Sequence, residues 1–319
     1  MKHIFIVNPN SGKGSGKEKI VPEINEYCTK NGLDYLIHET TCAGDGMNFA
    51  RQMAETGEHV RLYACGGDGT LFEVVNGAYG HDNAEVAVIP LGSGNDFVRT
   101  FGNREELCNV EAQVNGTPIK LDLIRCGDKY AINECSMGMD AEVCAKQIYF
   151  KKLPVFNGET AYTASLLWAF TKRVKSTFTI TVDDGEPFTD DFLFCLCGNS
   201  RWYGGGYKGA PLALPDDGYI DMILVRKKMN RLKILTLINK YKAGQHLDWE
   251  ITTFKRVKKV TVHSDRLAAV NIDGECEYVN DSTFEMLEKA INFVVPANST
   301  YIEDRKSGKL SGEKDEFKR

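Results

Sequence analysis

The sequence predicts an α/β domain joined to an all-β one: an N-terminal doubly wound α/β nucleotide-binding domain, then a C-terminal antiparallel β-sandwich. Three observations carry that expectation. Short apolar runs alternate with helix-like segments as far as about residue 100. Several of those runs end in loops rich in Gly, Ser or Asn. Beyond about residue 120, strand-like segments crowd together with turns between some of them.

His3 to Val7 is the first apolar run, read as a parallel strand. It leads into Asn8-Pro9-Asn10-Ser11-Gly12-Lys13-Gly14-Ser15-Gly16-Lys17, which reads either as an anion cradle or as a solvated loop. It is not a Walker A loop, because Ser11 and Glu18 stand where Gly and Ser or Thr are needed. Nor is it a dinucleotide fingerprint, because Lys stands at position 17 where Gly is needed. Lys17 to Asn31 reads as a helix closed by Gly32, Asp34 to Glu39 as a second strand, and Asn48 to Glu55 as a second helix.

The third strand, Val60 to Cys65, runs into Gly66-Gly67-Asp68-Gly69-Thr70 and then Leu71-Phe72. Glycine there permits φ > 0 and removes the Cβ atoms that would hold a ligand off the backbone. The helix that follows points free N–H groups and its positive dipole end at the turn, which suits a phosphate. Asp68 would repel a phosphate unless Mg²⁺ or a polar partner intervenes. The turn therefore reads as part of a metal–nucleotide site, or else as a plain βα turn capped by Asp68 and Thr70. Glu85 to Pro90 is a fourth strand, ending in the glycine-rich turn Leu91-Gly92-Ser93-Gly94-Asn95-Asp96-Phe97. Loops 8–12, 40–44, 66–70 and 92–96 then share the C-terminal edge of one sheet, where such domains collect ligands.

In the second half, strands are expected at Leu121–Arg125, Thr177–Val182, Phe188–Gly198, Tyr219–Val225, Lys258–Ser264 and Ala269–Ile272. Two helical segments interrupt them, the apolar Thr160 to Val174 and the basic-edged Met229 to Ala243. Asp183-Asp184-Gly185, Asp216-Asp217-Gly218 and Asp273-Gly274-Glu275 all read as turns.

Composition narrows the function. A net charge of −5 over 319 residues argues against a nucleic-acid binder. Ten cysteines without C-x-x-C spacing read as free thiols in a reducing cytosol. The first residues read as a strand, not a signal sequence, and no apolar run nears the ~20 residues that span a bilayer. The expectation is a cytoplasmic protein whose membrane contact, if any, is peripheral.

Asn8-Pro9-x-Ser11-Gly12, Gly66-Gly67-Asp68-Gly69-Thr70, Gly92-Ser93-Gly94-Asn95-Asp96-Phe97, Asp216-Asp217-Gly218 and Asp273-Gly274-Glu275 occur in that order. Together they resemble the bacterial diacylglycerol kinase-like lipid kinases, from residue 3 to about 300. The resemblance implies an ATP-binding domain over residues 1–125, with a return segment at about 292–303. It also implies a lipid-substrate sandwich over 126–291, with the active site in a cleft between the domains. The polar tail 304–319 reads as disordered.

By that resemblance, nucleotide contacts fall on Asn8, Pro9, Asn10, Ser11, Gly12, Thr40, Gly66, Gly67, Asp68, Gly69, Thr70, Leu71, Phe72 and Ser93. Asn95 and Asp96 adjoin them, with Asp96 read either as a helper of Mg²⁺ or as a helix cap. Phe72 departs from the polar residue usual in the family. The metal site falls on Leu214, Asp217 and Tyr219, the catalytic base on Glu275, with Asp273 as its neighbour and Asp68 as an organiser of Mg²⁺. The implied reaction is transfer of the γ-phosphate of ATP to a lipid hydroxyl, diacylglycerol giving phosphatidic acid, at a membrane surface. Alternatives are another acceptor, such as a sphingoid base or NAD, or a sensor without turnover. An exposed edge strand in the second domain leaves a homodimer open.

Overall fold

The computed structural model describes residues 1–14, 16–151, 165, 168, 176–228 and 231–313. In chain order the first elements are β1 (Lys2–Val7), α1 (Gly16–Lys30), β2 (Tyr35–Glu39), α2 (Asp45–Glu55), β3 (Val60–Gly66), α3 (Asp68–Ala78) and β4 (Ala84–Pro90). Next come α4 (Arg104–Leu107), α5 (Val110–Val114), β5 (Thr117–Cys126), β6 (Lys129–Ala131), β7 (Glu134–Gly138) and α6 (Met139–Lys151). The last are β8 (Ser176–Val182), β9 (Phe188–Gly198), β10 (Ile220–Arg226), α7 (Arg231–Lys242), β11 (Thr252–Val257), β12 (Lys259–Ile272), β13 (Glu275–Val295) and α8 (Tyr301–Lys306). Two compact units divide them: Met1–Leu123 with Glu288–Arg319, and Ile124–Leu287.

In the first unit the sheet order is β13-β4-β3-β1-β2, with β1 parallel to both β2 and β3, and β3 parallel to β4. Every residue of β3 and β4 is buried, the pattern of central parallel strands covered on both faces. One face holds Ile20, Ile24 and Cys28 of α1 against Phe5, Val7, Tyr63 and Ile89. On the other, α2 and α3 touch backbone to backbone: a Cβ on Gly77 would lie 2.4 Å from the Met47 carbonyl oxygen. The end of β13 pairs with β4 through Asn292 and Phe293. There Phe293 meets Phe97, Phe101 and, through Phe101, Tyr301, with ring centroids 4.7–5.4 Å apart. The chain order β1, β2, then β3 on the far side of β1, places the switch point between β1 and β3, where doubly wound sheets open a crevice.

The second unit is antiparallel, in the order β11-β10-β9-β7-β12-β13, with β8 bridging β9 and β12. β12 unites two segments expected as separate strands. Its register with β13 shifts between His263 and Ala268, and this irregularity lets one strand serve two pairings. Its first part pairs with β8, and its last residues, Val270 to Ile272, pair with β7.

Two sequence expectations change here. Asp304 was placed at the start of a disordered tail, yet residues 304–306 belong to α8. Arg305 donates to the Leu310 carbonyl (2.7 Å), and Leu310 N to the Asp304 carbonyl (3.0 Å), closing the helix end. β13 runs from Glu275 to Val295 and so begins well before the return segment expected at 292–303, because its first seven residues are exposed or half-buried and give no apolar run. Apart from Ser165 and Trp168, the apolar segment 160–174 lies outside the described residues, as do Met229 and Asn230 of the basic one. No helix among the described residues is long and apolar enough to cross a membrane.

Candidate functional site

In the first unit the four loops predicted to converge do so, and the reasons are local. Asn8 sits at the end of β1; its Oδ1 accepts the Asn10 N–H (3.0 Å) and its Nδ2 reaches Thr70 Oγ1 (3.4 Å) at the start of α3. Thr40 N donates to the Val7 carbonyl at 2.9 Å, setting the loop after β2 beside the one after β1. Glu73 of α3 then accepts the Gly44 N–H at 2.7 Å. Gly66 must lack a side chain, since a Cβ there would lie 2.1 Å from Thr70 Oγ1.

The two glycine-rich turns are locked to each other by Asp68. Its Oδ2 accepts the Asn95 N–H and its Oδ1 the Asp96 N–H, both at 2.8 Å. Gly67 and Gly92 touch so closely that a Cβ on Gly92 would lie 2.5 Å from Gly67 Cα, and one on Gly94 would lie 2.6 Å from Asp68 Oδ2. Asn95 takes φ 52° to fit, while its Nδ2 donates to the Gly92 carbonyl at 2.6 Å. Burial, and next the Asp96 charge, raise the Asp68 carboxyl from 3.8 to about 6. Asp68 is thus a clamp between loops, and its two oxygens are engaged with main-chain donors.

Other expected contacts are placed as follows. Thr70, Leu71 and Phe72 are buried, Phe72 at 4% exposure, so Leu71 and Phe72 fill the core side of α3 and offer a ligand little surface. Asn10 and Ser93 are exposed, and Pro9, Ser11, Gly12 and Thr40 half-buried. Asp96 does not cap the turn it opens; its Oδ1 pairs with Arg99 at 3.2 Å. No side-chain hydrogen bond caps α3, whose N-cap is Gly67, and among the described residues no atom beyond its own turn of helix lies within 4 Å of where a Gly69 Cβ would stand. An uncapped first turn with open space before it is where an anion finds donors. The side chain of Lys13, in the loop after β1, lies outside the described set.

The second unit carries the acidic turns. Asp273 and Gly274, with φ 50° and 98°, form the two-residue hairpin joining Ile272 to Glu275, so the ordinary hairpin reading is correct as geometry. The Asp273 carboxylate accepts the N–H groups of Ile132 (2.7 Å), Asn133 (3.0 Å) and Glu134 (2.7 Å), which pins the turn to β7. Beside it, Asn271 donates to Glu134 Oε1 (2.5 Å) and accepts the Gly274 N–H (2.8 Å). Glu275 projects from this anchored turn as an exposed carboxylate. Sequence reading passed over Asn271 and Glu134. The one available signal was a lone polar residue inside the apolar run Ala268 to Ile272.

Around Asp217, Oδ1 accepts the Tyr219 N–H at 3.0 Å and Oδ2 lies 4.0 Å from Arg256. Lys258 donates to the Gly218 carbonyl and lies 4.2 Å from the Tyr219 ring centroid. Leu214 is buried. Among the described residues no three His, Cys, Asp or Glu side chains gather as a metal cluster. The donor set that the resemblance implies is of another type, one carboxylate with main-chain carbonyls, as Mg²⁺ accepts when it keeps waters. Buried Asp221, whose charge interacts with that of Asp217, has an Oδ2 with no hydrogen-bond partner. Its carboxyl is raised to about 7 by burial, against the pull of Arg256. The Asp217 carboxylate and the unsatisfied buried acceptor of Asp221 are oxygen donors of the kind a hard cation takes.

Comparison with known proteins agrees with both halves. Residues 2–126 match the diacylglycerol kinase catalytic domain, and residues 133–295 the YegS C-terminal NAD kinase beta sandwich-like domain. A diacylglycerol kinase of Staphylococcus carnosus (strain TM300) is 29% identical over 92% of this chain and 94% of its own. A Shewanella frigidimarina (strain NCIMB 400) protein named "Probable lipid kinase YegS-like" is 31% identical over 75% of this chain and 77% of its own. A crystal structure of a diacylglycerol kinase from Bacillus anthracis str. Sterne superposes with TM-score 0.63 at 20% identity, covering 92% of this chain and 96% of that one.

Proposed function

Since this chain belongs to the diacylglycerol kinase family of lipid kinases, we propose that it transfers the γ-phosphate of ATP to the hydroxyl of diacylglycerol, giving phosphatidic acid. The observation that carries the reading is the Asp68 clamp, which holds two glycine-rich turns together before the uncapped N-terminus of α3.

In this mechanism the polyphosphate lies along main-chain N–H groups of the 66–70 turn, with the 8–12 loop beside it and Ser93 at its edge. Asp68 acts by fixing the turns, so that the donors need no reorganisation when charge shifts to the leaving ADP. Glu275 takes the proton of the lipid hydroxyl as its oxygen bonds to the γ-phosphorus and the bond to the β-phosphate oxygen breaks. Asp273, engaged with three main-chain N–H groups, positions Glu275. Mg²⁺ would be held by the Asp217 carboxylate and the carbonyls of Leu214 and Tyr219, supplying fixed positive charge that keeps this loop in shape. The lipid is drawn from a membrane surface at which the protein binds peripherally.

The test is transfer of labelled γ-phosphate from ATP to diacylglycerol in mixed micelles, with sphingosine and NAD⁺ as parallel acceptors. Phosphatidic acid is expected from the wild type, and a loss of roughly 10²–10⁴-fold in Glu275→Gln. Labelling of NAD⁺ alone overturns the lipid acceptor. A fully active Glu275→Gln overturns the base.

A further inference from the structure

We propose that Cys144 of α6 and Cys276 of β13 form an oxidisable dithiol against the Asp273–Glu275 turn, a site of covalent modification by hydroperoxides. Its effect on transfer rests on the reading of Glu275 as the base; its chemistry does not.

The geometry is a shared pair of acceptors. Cys144 Sγ donates to Asn271 Oδ1 (3.6 Å) and to the Gly274 carbonyl (3.7 Å). Cys276 Sγ reaches the same two oxygens at 3.8 and 3.9 Å. The two thiols, 132 positions apart in sequence by their numbers, thus converge on the same two oxygens. Both are half-buried, whereas Cys135, Cys195 and Cys197 are fully enclosed, so a small oxidant has access to this pair. The Cys144 sulfur, and after it burial, hold the Cys276 thiol protonated far beyond its usual range. Cys276 Sγ has a third acceptor in the Ala141 carbonyl at 3.9 Å, so it takes the proton-bearing, resolving role and leaves the attack to Cys144.

The steps balance with hydrogen peroxide as oxidant. The Cys144 thiolate bonds to one peroxide oxygen, the O–O bond breaks, and the released hydroxide leaves as water after taking a proton. The resulting sulfenic acid is attacked by the Cys276 sulfur, forming the S–S bond and expelling a second water that carries the Cys276 proton. Two thiols and one peroxide become one disulfide and two waters. The disulfide removes both S–H donors from Asn271 Oδ1 and the Gly274 carbonyl. It also ties the residue after Glu275 to α6, which displaces the base.

The full chain is treated with a slight excess of hydrogen peroxide, alkylated, and digested without reduction. A linked peptide pair containing Cys144 and Cys276, lighter than its parts by two hydrogens and opened by dithiothreitol, is expected. Transfer should fall roughly 10–100-fold, the cost of misplacing a group near 1 Å, and return on reduction. Cys144→Ser should give neither the link nor the peroxide sensitivity. Recovery of both cysteines unlinked and alkylated overturns the site. A linked pair with transfer unaltered overturns its coupling to the turn. Peptide mapping needs no acceptor, so failure of the diacylglycerol assay is read separately from failure of the dithiol.

Discussion

Replacing Asp68 by Asn sets two opposed effects against each other, and the structure gives the size of both. The carboxylate accepts two main-chain N–H groups at 2.8 Å. An amide keeps one of these bonds and turns its NH₂ toward the other donor, a loss of about 1–3 kcal/mol. Against this, the substitution removes a carboxyl that burial and Asp96 raise from 3.8 to about 6. A raised carboxyl favours the folded state most when protonated, so its contribution is full below pH 3.8 and is lost as pH rises through 6. Linkage gives about 1.4 kcal/mol of that loss between pH 5 and pH 7.5. The wild type should therefore lose stability over this interval relative to Asp68→Asn, shifting the difference in Tm by about 3–6 °C in the variant's favour. Thermal melts of both proteins at the two pH values measure it. Phosphate transfer should fall in Asp68→Asn at either pH, since one side of the clamp is broken. A Tm difference that stays constant between pH 5 and 7.5 would refute the picture of a desolvated clamp.

Three further outcomes are expected. Asp273→Ala orphans three main-chain N–H groups and should lower stability by about 2–5 kcal/mol, read by denaturant unfolding. Gly92→Ala puts a Cβ 2.5 Å from Gly67 Cα, a backbone contact that cannot rotate away; a Tm loss of about 1–3 kcal/mol equivalent and weaker ATP binding by calorimetry should follow. Millimolar Mg²⁺ should raise the Tm of the wild type and leave that of Asp217→Ala unmoved, since only a ligand bound to the folded state shifts the equilibrium.

The first unit was largely legible in sequence because its signals are local. Strand, glycine turn and helix follow one another in short order, and β1 to β4 appear within one residue of the predicted limits. What the turns do with their acids was not legible. Asp68 meets its donors 27 and 28 positions away, and Asp273 meets its own about 140 positions away. No spacing rule reaches that far, so Asp68 read as a metal organiser and Asp273 as a turn residue. β13 escaped for a different reason. Between Glu275 and Asn280 every residue is exposed or half-buried, and a stretch with no buried residue carries no apolar signature. Phe72 entered the nucleotide contacts through the resemblance alone; helix periodicity turns it inward to the core.

Phe293 lies near the end of the chain, yet it belongs to the aromatic cluster of the first unit and its strand completes that unit's sheet against β4. A ribosome making this protein releases β1 to β4 long before the strand that borders them exists. The Val86 edge of β4 must wait, unpaired, while some 200 further residues are made. During that interval the edge is open to any extended strand, and a chaperone or the partly made second unit is the available shield. Truncation before Asn292 should accordingly give an aggregating chain rather than a folded N-terminal domain.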